Sequence, residues 1–587
     1  MEEVCHGAPK CYFPQNTGYK VLTTSSNGTT LEKAPGTGSP FGEDIPHITF
    51  KTTTIKNSTL NVRISAEGRL PFKALRYFEE FEGNYEGIHN FRFEPMIDIP
   101  RNVYDTGESF DVVISNETGI FSFKVQRHST KTIVWDTSIG GLLFAEQYLQ
   151  IAAFLGSSEI YGIGENAHSR LRHDVEHYAT WALLARDSWP YAYPAYVEME
   201  NKRNLYGVYP FLMALEKDYK AHGLLILNTN PQVVLLLLFP LSADITIGPA
   251  PHIVYRTIGG ILDLYFFPGP SPEDVVRQYL AFVGTPMLPA YWALGFQLGS
   301  LGYKNWQDLE NVVSETRKAR IPLDVPFADL EYMSKAEDFT MASGWEGFPS
   351  YVEQLHNESL HVIVVLQPGV QADGDPFKRA LQENASFVEW ETKQAVQKSI
   401  QNLYPLANET KLSDVPTQIH LCDIYKLSNP AISFVILKLC LGFYELTSMS
   451  LILTSQPQKR KAGGWRNWQT STKRLETNED QPGYWYNPEH TNITSLHCPV
   501  DGSSAKYDVP PYQTQNVYHY NVPTYLASTT LCMSAMTKQG RMYDVKNLYG
   551  LQQTIATNSA MQNITKKRGV LITRLPLLYN FLLFSTN

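Results

Sequence analysis

The sequence predicts a multidomain protein, all-β in its first half and α/β in its second: a large antiparallel β-sandwich leading into an incomplete parallel (β/α)8 barrel. Three observations carry this. From about residue 45 to 270 apolar residues recur with period two between Gly, Pro and Asn; at Ser271 the period becomes helical; from Tyr291 strand-like runs alternate with helix-like ones. A length of 587 residues leaves room for two to four domains.

In FSFKVQ, residues 121–126, Phe121, Phe123 and Val125 point one way, and KTIVWDTS follows after a turn-like gap. LLILNTNPQVVLLLLFPL and ADITIGPAPHIVYRTIGGILDLYFF continue in the same style, as a sandwich requires. PGPSPEDVVRQYLAFVG reads as a linker helix, with Ser271 as N-cap, Pro272 in the first turn, Glu273 and Asp274 near the positive end, and Val275, Val276, Tyr279 and Leu280 on one face. The barrel series follows. Strands are expected at YWALGFQLGS, LDVPFADLEYM and LHVIVVLQPG, and helices at NWQDLENVVSETRKARI and FPSYVEQLHNES. Asn305 and Asp308 have capping spacing, and Trp306, Leu309, Val312 and Val313 would face the strands.

Hydrophobic content of 43%, charged content of 18% and a net charge of -9 describe a globular chain and point away from nucleic acid. The 34 Tyr and 10 Trp suit surfaces that stack on sugar-like ligands, although β-rich extracellular folds also run aromatic. Six cysteines, Cys5, Cys11, Cys422, Cys440, Cys498 and Cys532, are too scattered for a zinc site or a disulfide framework and leave room for one or two bridges. No metal or cofactor is expected. Eight sequons, at Asn27, Asn57, Asn116, Asn357, Asn384, Asn408, Asn492 and Asn563, lean toward an extracellular or luminal setting. MEEVCHGAPKC lacks the basic start and apolar core of a signal peptide, so either the start is incomplete, with any membrane association running through an anchor missing from the amino terminus, or the protein is not exported. Lys438 and Glu445 interrupt the apolar run Ala431–Thr454, which therefore reads as buried rather than membrane-spanning.

Asp329 and Glu331 close the run DVPFADLEYM two residues apart, so both would leave one face of a strand. Barrel chemistry sits at strand carboxyl ends, which puts these acids and Tyr303 where a site would be built. Alone, each acid has a plainer reading as a cap, a turn or a surface ion pair. Together with CYFPQNTGYKV, IPRNVYDTG, EIYGIGENAHSRLRHD, LLARDSWP, NLYGVYPFLMALE, LPAYWALGFQLGSLGY, PFADLEYM, TLCMSAMTKQGRMYDVKNLYG and RGVLITR, in that order, the chain resembles the α-glucosidases of glycoside hydrolase family 31, of the maltase-glucoamylase and sucrase-isomaltase type. The resemblance covers roughly residues 1 to 370 and 495 to 574. It implies a trefoil remnant over 1–30, a galactose-mutarotase-like sandwich over 31–270 and a partial TIM barrel over 271–587. It also implies a substrate, an α-linked gluco-oligosaccharide whose terminal glucose is released. In this family Asp329 would hold sugar hydroxyls, Asp187 would reach in from the sandwich, Tyr303 would wall the pocket and Arg574 would lie beside the catalytic carboxylates. Carboxylates suit hydroxyl recognition because each accepts two or more charge-strengthened hydrogen bonds.

The catalytic pair has no such counterpart. A retaining glycosidase needs two carboxyl groups roughly 5 Å apart. The family's tryptophan-isoleucine-aspartate-methionine-asparagine-glutamate motif is absent. Residues 371–494 read as an atypical segment, less ordered than its flanks and not taking over a barrel role, in which LETNE with Glu476, Asn478 and Glu479 is the faintest echo. No glycine-aspartate-asparagine motif follows Arg574. No residue is therefore assigned as catalytic. The expectation is a family homologue that cannot complete catalysis; the alternatives are a non-catalytic glycan-binding or interaction protein, and a non-functional product of altered splicing or a degraded gene.

Overall fold

The computed structural model describes most of residues 17–69, 105–185 and 204–366, then shorter stretches, chiefly 505–512, 532–548 and 569–573. Two sheets make the sandwich. The first has eight strands in the order Tyr19–Ser25, Gly28–Lys33, His47–Ile55, Thr59–Ser65, Leu262–Phe267, Ala221–Ile226, Asn204–Leu215 and Glu159–Asn166. The second runs Ala179–Trp181, Ile245–Gly248, His252–Thr257, Leu149–Leu155, Ile133–Asp136, Ser122–Arg127 and Phe110–Ser115, with Leu143–Phe144 beside Leu149–Leu155. Neighbours pair antiparallel, and the inner faces meet in an aromatic core where Phe50 packs on Phe123 at 5.0 Å and Trp135 on Phe266 at 5.9 Å.

The first sheet opens at Tyr19, ahead of the expected start at residue 31. Alternating YKVLTTS and GTTLEK flank the turn at Ser26 and Asn27, with Ser25 opposite Gly28, a hairpin pattern the sequence reading passed over. Tyr19 is buried and its hydroxyl donates to Ile45 O at 2.8 Å, fixing this hairpin to the sandwich. Residues 1–16, where the rest of the trefoil remnant would lie, fall outside the described residues.

Inward alternation along Ser122–Arg127 brings Phe123, Val125 and then Arg127 into the core. Arg127 is 0% exposed, which isolated charge does not tolerate. It is satisfied from four sides: Nε donates to Glu216 Oε2 at 3.0 Å, Nη1 to Glu108 Oε2 at 2.9 Å and to Pro268 O at 2.7 Å, and Nη2 to Ala221 O at 3.0 Å. Nη2 also pairs with Glu216 Oε1, and His222 Nδ1 lies 3.0 Å from that oxygen. The central strands Ala221–Ile226 and Leu262–Phe267 are buried on both faces, because the helix Pro272–Val283 lies on the outer side of the first sheet. Tyr279 packs on Phe211 at 4.3 Å and Phe282 on Tyr265 at 4.5 Å. A capping box starts this helix: Ser271 Oγ accepts from Asp274 N at 3.1 Å while Asp274 Oδ2 accepts from Ser271 N at 3.3 Å.

A six-stranded sheet follows, ordered Gln297–Leu298, Val325–Ala328, Val362–Leu366, Met449–Leu453, Val570–Thr573 and Leu583–Phe584. The first four pairings are parallel and the last antiparallel. Helices Trp306–Lys318 and Phe348–Asn357 cover it, the former capped by Asn305 Oδ1 accepting from Asp308 N at 2.9 Å. YWALGFQLGS is not one strand. It forms a 3-10 turn over Tyr291–Leu294 and then only Gln297–Leu298, since Asp324 Oδ2 takes the Phe296 N–H at 3.1 Å and a side chain on Gly295 would run into that carboxylate.

Residues 371–494, where lower order than the flanks is expected, lie outside the described residues except for short strands. One of those strands corrects the expectation that the segment supplies no barrel piece. Met449–Leu453, from the end of the apolar run, pairs in parallel with Val362–Leu366 on one side and Val570–Thr573 on the other. An aliphatic run bounded by polar residues suffices for a central parallel strand. The charges at Lys438 and Glu445 fall upstream of it.

The buried ion cluster has a pH signature. Burial acts to raise the Glu216 carboxyl, but hydrogen bonds from His222 and Arg127 outweigh it and bring the pKa down to about 2. A depressed carboxyl contributes stability above its unfolded value that is lost as pH falls through the folded one, so chemical denaturation should show this loss between pH 4.5 and about 2. Glu216→Ala should cost about 3–5 kcal/mol by stranding Arg127, and adding Arg127→Met should recover much of it.

Candidate functional site

Parallel strands align their carboxyl ends along one edge, and the candidate residues gather there. After Val325–Ala328 the chain leaves the extended conformation, because Asp329 caps a 3-10 turn over Leu330–Tyr332 and its Oδ1 accepts from Leu330 N at 2.8 Å. Asp329 and Glu331 therefore do not share a strand face; they sit on successive corners of a turn. The turn is pinned from beneath by Tyr332, which is buried and donates its hydroxyl to Val365 O at 3.0 Å.

Glu331 Oε1 accepts from Gly302 N at 2.6 Å, which brings the turn after the first strand against the turn after the second. Gly302 has φ +109°, a backbone state glycine adopts without strain. Tyr303, the next residue, is buried and packs in one cluster with Leu330 and Tyr332. Burial raises the Glu331 carboxyl, and the neighbouring Asp329 charge raises it further. Burial and the Glu331 charge likewise push up the Tyr303 phenol. The Gly302–Glu331 bond thus sets the turn leading into Tyr303 beside the turn of Asp329 and Glu331. Asp187 and Arg574 lie outside the described residues: LLARDSWP is described through Ala185 and VLITR through Thr573.

Sequence reasoning missed the polar residues that seat residues 505–548 on the sandwich. Asn547 is fully buried: Oδ1 accepts from Ala185 N at 3.0 Å, and Nδ2 donates to Asn230 O at 2.9 Å and Leu183 O at 3.5 Å. Lys546 Nζ donates to Ala185 O at 2.6 Å, and Tyr543 OH donates to Ile258 O at 2.5 Å. Around them Tyr512, Leu526 and Met533 pack on Leu143, Tyr148, Leu184 and Ile258. The backbone leading into Arg186 and Asp187 is therefore held from a segment more than 300 residues later. Only the position of MYDVKNLY within an ordered series of family-like segments could have signalled it. Buried Asp508 organises the same segment, accepting from Met533 N at 2.7 Å and from Ser534 N at 3.2 Å and Oγ at 2.7 Å.

A β-sandwich joined by a helix to parallel strands that carry acids past their carboxyl ends defines a sandwich-fronted β/α-barrel protein. Residues 286–576 match the glycosyl hydrolases family 31 TIM-barrel domain, and the chain is a member of glycoside hydrolase family 31. It is 29% identical over 581 residues to human intestinal sucrase-isomaltase, covering 97% of this chain and 28% of that protein. It is 32% identical over 511 residues to human probable maltase-glucoamylase 2, covering 83% and 18%. With bovine lysosomal alpha-glucosidase it shares 28% identity over 581 residues, covering 97% and 51%, so the chain spans from under a fifth to about half of these relatives. Among solved structures, a glucosidase II alpha subunit superposes with TM-score 0.59 at 15% identity, covering 97% of this chain and 60% of that one. A Flavobacterium johnsoniae dextranase complexed with isomaltotriose does so with TM-score 0.54 at 13% identity, covering 95% and 55%. At such identities these two support the fold alone.

Burial lifts the Asp508 pKa to about 6 despite the hydrogen bonds from Ser534 and Met533. Stability from a raised carboxyl is fully present below the unfolded value near 3.8 and is lost as pH rises through about 6. Intrinsic-rate-corrected hydrogen exchange should show Met533 and Ser534 better protected at pH 5 than at pH 7.5, and Asp508→Asn should remove the difference.

Proposed function

We propose that this chain holds the terminal glucose of an α-linked gluco-oligosaccharide at the carboxyl edge of its parallel sheet and binds it without cleaving it. The observation that carries this is the hydrogen bond from Gly302 N to Glu331 Oε1, which sets the turn before Tyr303 against the turn begun by Asp329, inside a region matched by a family of glycosidases. Asp329 supplies a carboxylate for sugar hydroxyls and Tyr303 an aromatic wall, with Asp187 and Arg574 as further contacts in the manner of the family. The inherited reaction is hydrolysis of terminal α-1,4-linked glucose.

Cleavage needs a carboxylate at the reacting carbon and a proton donor at the leaving oxygen. The family nucleophile follows the fourth strand. Here the fourth strand, Met449–Leu453, is followed by TSQPQKRK, and the first carboxylate beyond it is Glu476. No catalytic residue is assigned. The domain division into a sandwich reaching to about residue 270 and a partial barrel over 271–587 belongs to the same proposal, with the trefoil remnant expected over 1–30 confined to residues ahead of Tyr19.

An extracellular or luminal location is supported by the disulfide at Cys532, whose partner lies outside the described residues, and by exposed sequon asparagines at Asn27, Asn116 and Asn357. Relatives named intestinal and lysosomal agree with it. Among the described residues no helix is long and apolar enough to cross a membrane. Protein from secreting cells should shift in mass on enzymatic deglycosylation, and Asn27→Gln, Asn116→Gln and Asn357→Gln together should reduce the shift; an unglycosylated chain sinks this assignment.

Calorimetric titration with maltose should detect binding, and Asp329→Asn should weaken it by the roughly 1.5–3 kcal/mol of a charged hydrogen bond, or about tenfold or more. Turnover of maltose and of an aryl α-glucoside should stay at background for the unaltered chain and for Glu476→Gln. Turnover abolished by Glu476→Gln would instead make LETNE a working nucleophile motif.

A further inference from the structure

We propose that Glu331 is a positioning residue of this pocket: its carboxylate hangs the turn bearing Tyr303 on the turn bearing Asp329, so that the two walls of the sugar site move as one. The sugar role rests on the reading above; the tether does not.

The need for a tether follows from the edge of the sheet. The first parallel strand pairs through Gln297 opposite Val325 and Leu298 opposite Pro326, and proline offers the ladder no N–H. The chain leaves this short pairing toward Gly302, around which a side chain would meet nothing within 4 Å. Little sheet precedes Tyr303 to fix it, and the Gly302 N–H is captured by Glu331 Oε1 at 2.6 Å. A glutamate has the length to bridge the two turns.

The second oxygen separates Glu331 from an ordinary turn acid. Oε2 is buried and takes no hydrogen bond among the described residues, whereas an acid serving only as a surface cap would keep that oxygen in water. Asp329 on its own turn and Tyr303 on the facing one are the titratable groups interacting with it: burial and the Asp329 charge favour a neutral Glu331, while the Glu331 charge keeps the Tyr303 phenol protonated. Glu331 is therefore held above the usual carboxylate range. Because the tethered carboxyl titrates above its exposed value, ionisation favours the opened turn, so tether and pocket loosen together as pH rises through the Glu331 titration.

Two readouts on the unaltered chain, Glu331→Gln and Glu331→Ala test this. Without sugar, amide exchange at Gly302 and Tyr303 should quicken about tenfold or more in Glu331→Ala while the amides of Val362–Leu366 keep their protection; in Glu331→Gln, whose amide oxygen still accepts, protection should persist. With maltose, Glu331→Ala should lose about tenfold in affinity, and Glu331→Gln should keep the affinity but flatten its decline as pH rises through the Glu331 titration. Unchanged exchange at Gly302 in Glu331→Ala overturns the tether. If that variant loses protection throughout the sheet, the Gln variant decides, and a pH profile like that of the unaltered chain overturns the proposal. Failure of the unaltered chain to bind maltose would sink the sugar reading alone, because exchange at Gly302 still reports on the tether.

Discussion

A single guanidinium sets the frame on which everything later in the chain depends. Arg127 belongs to the second sheet, yet its bonds end on Glu216 and Ala221 O of the first sheet's strand region, on Glu108, and on Pro268 O, where the chain turns toward the helix Pro272–Val283. The spacing between the sheets and the departure toward the barrel are thus fixed by one buried group. A well-packed apolar cluster could match it in stability. What an apolar cluster lacks is direction: each N–H of the fork accepts one geometry, so the sheets have one register against each other.

The second constraint is topological. The sandwich is not finished by its own strands, since Leu143, Tyr148, Leu184 and Ile258 are covered by residues that follow the fourth barrel strand in sequence. Asn547 and Lys546 satisfy the backbone of Leu183–Ala185 in the same contact. Sandwich and barrel are therefore two folding patterns with one shared interior, and a domain boundary drawn along the sequence near residue 270 does not separate them energetically.

What could be read from the sequence was whatever repeats. Phe121, Phe123 and Val125 announced a strand because period two is visible without any partner, and Ser271 with Pro272 announced a helix through local chemistry. Features that depend on a distant partner stayed hidden. Arg127 continues the inward series of its strand but reads as surface until Glu216 is known to face it. The change at Asp329 from strand to 3-10 turn is decided by a carboxylate catching the next N–H and by Tyr332 reaching Val365, neither visible as periodicity. For the site, family-like segments drew attention to Asp329 and Tyr303, while Glu331, which joins their two turns, was noticed only as a neighbouring acid.

The late arrival of residues 505–548 has a consequence in time. A ribosome that has completed the last sandwich strand, Leu262–Phe267, must still add more than 230 residues before Ala505, the start of the covering segment, is made. At about 5–20 residues per second, that interval is roughly 12–50 s, far longer than local strands and helices need to form. Throughout it, Tyr148, Leu184 and Ile258 present an oily face to the lumen or cytosol. The nascent sandwich therefore exposes this face for as long as translation takes to cross residues 268–504.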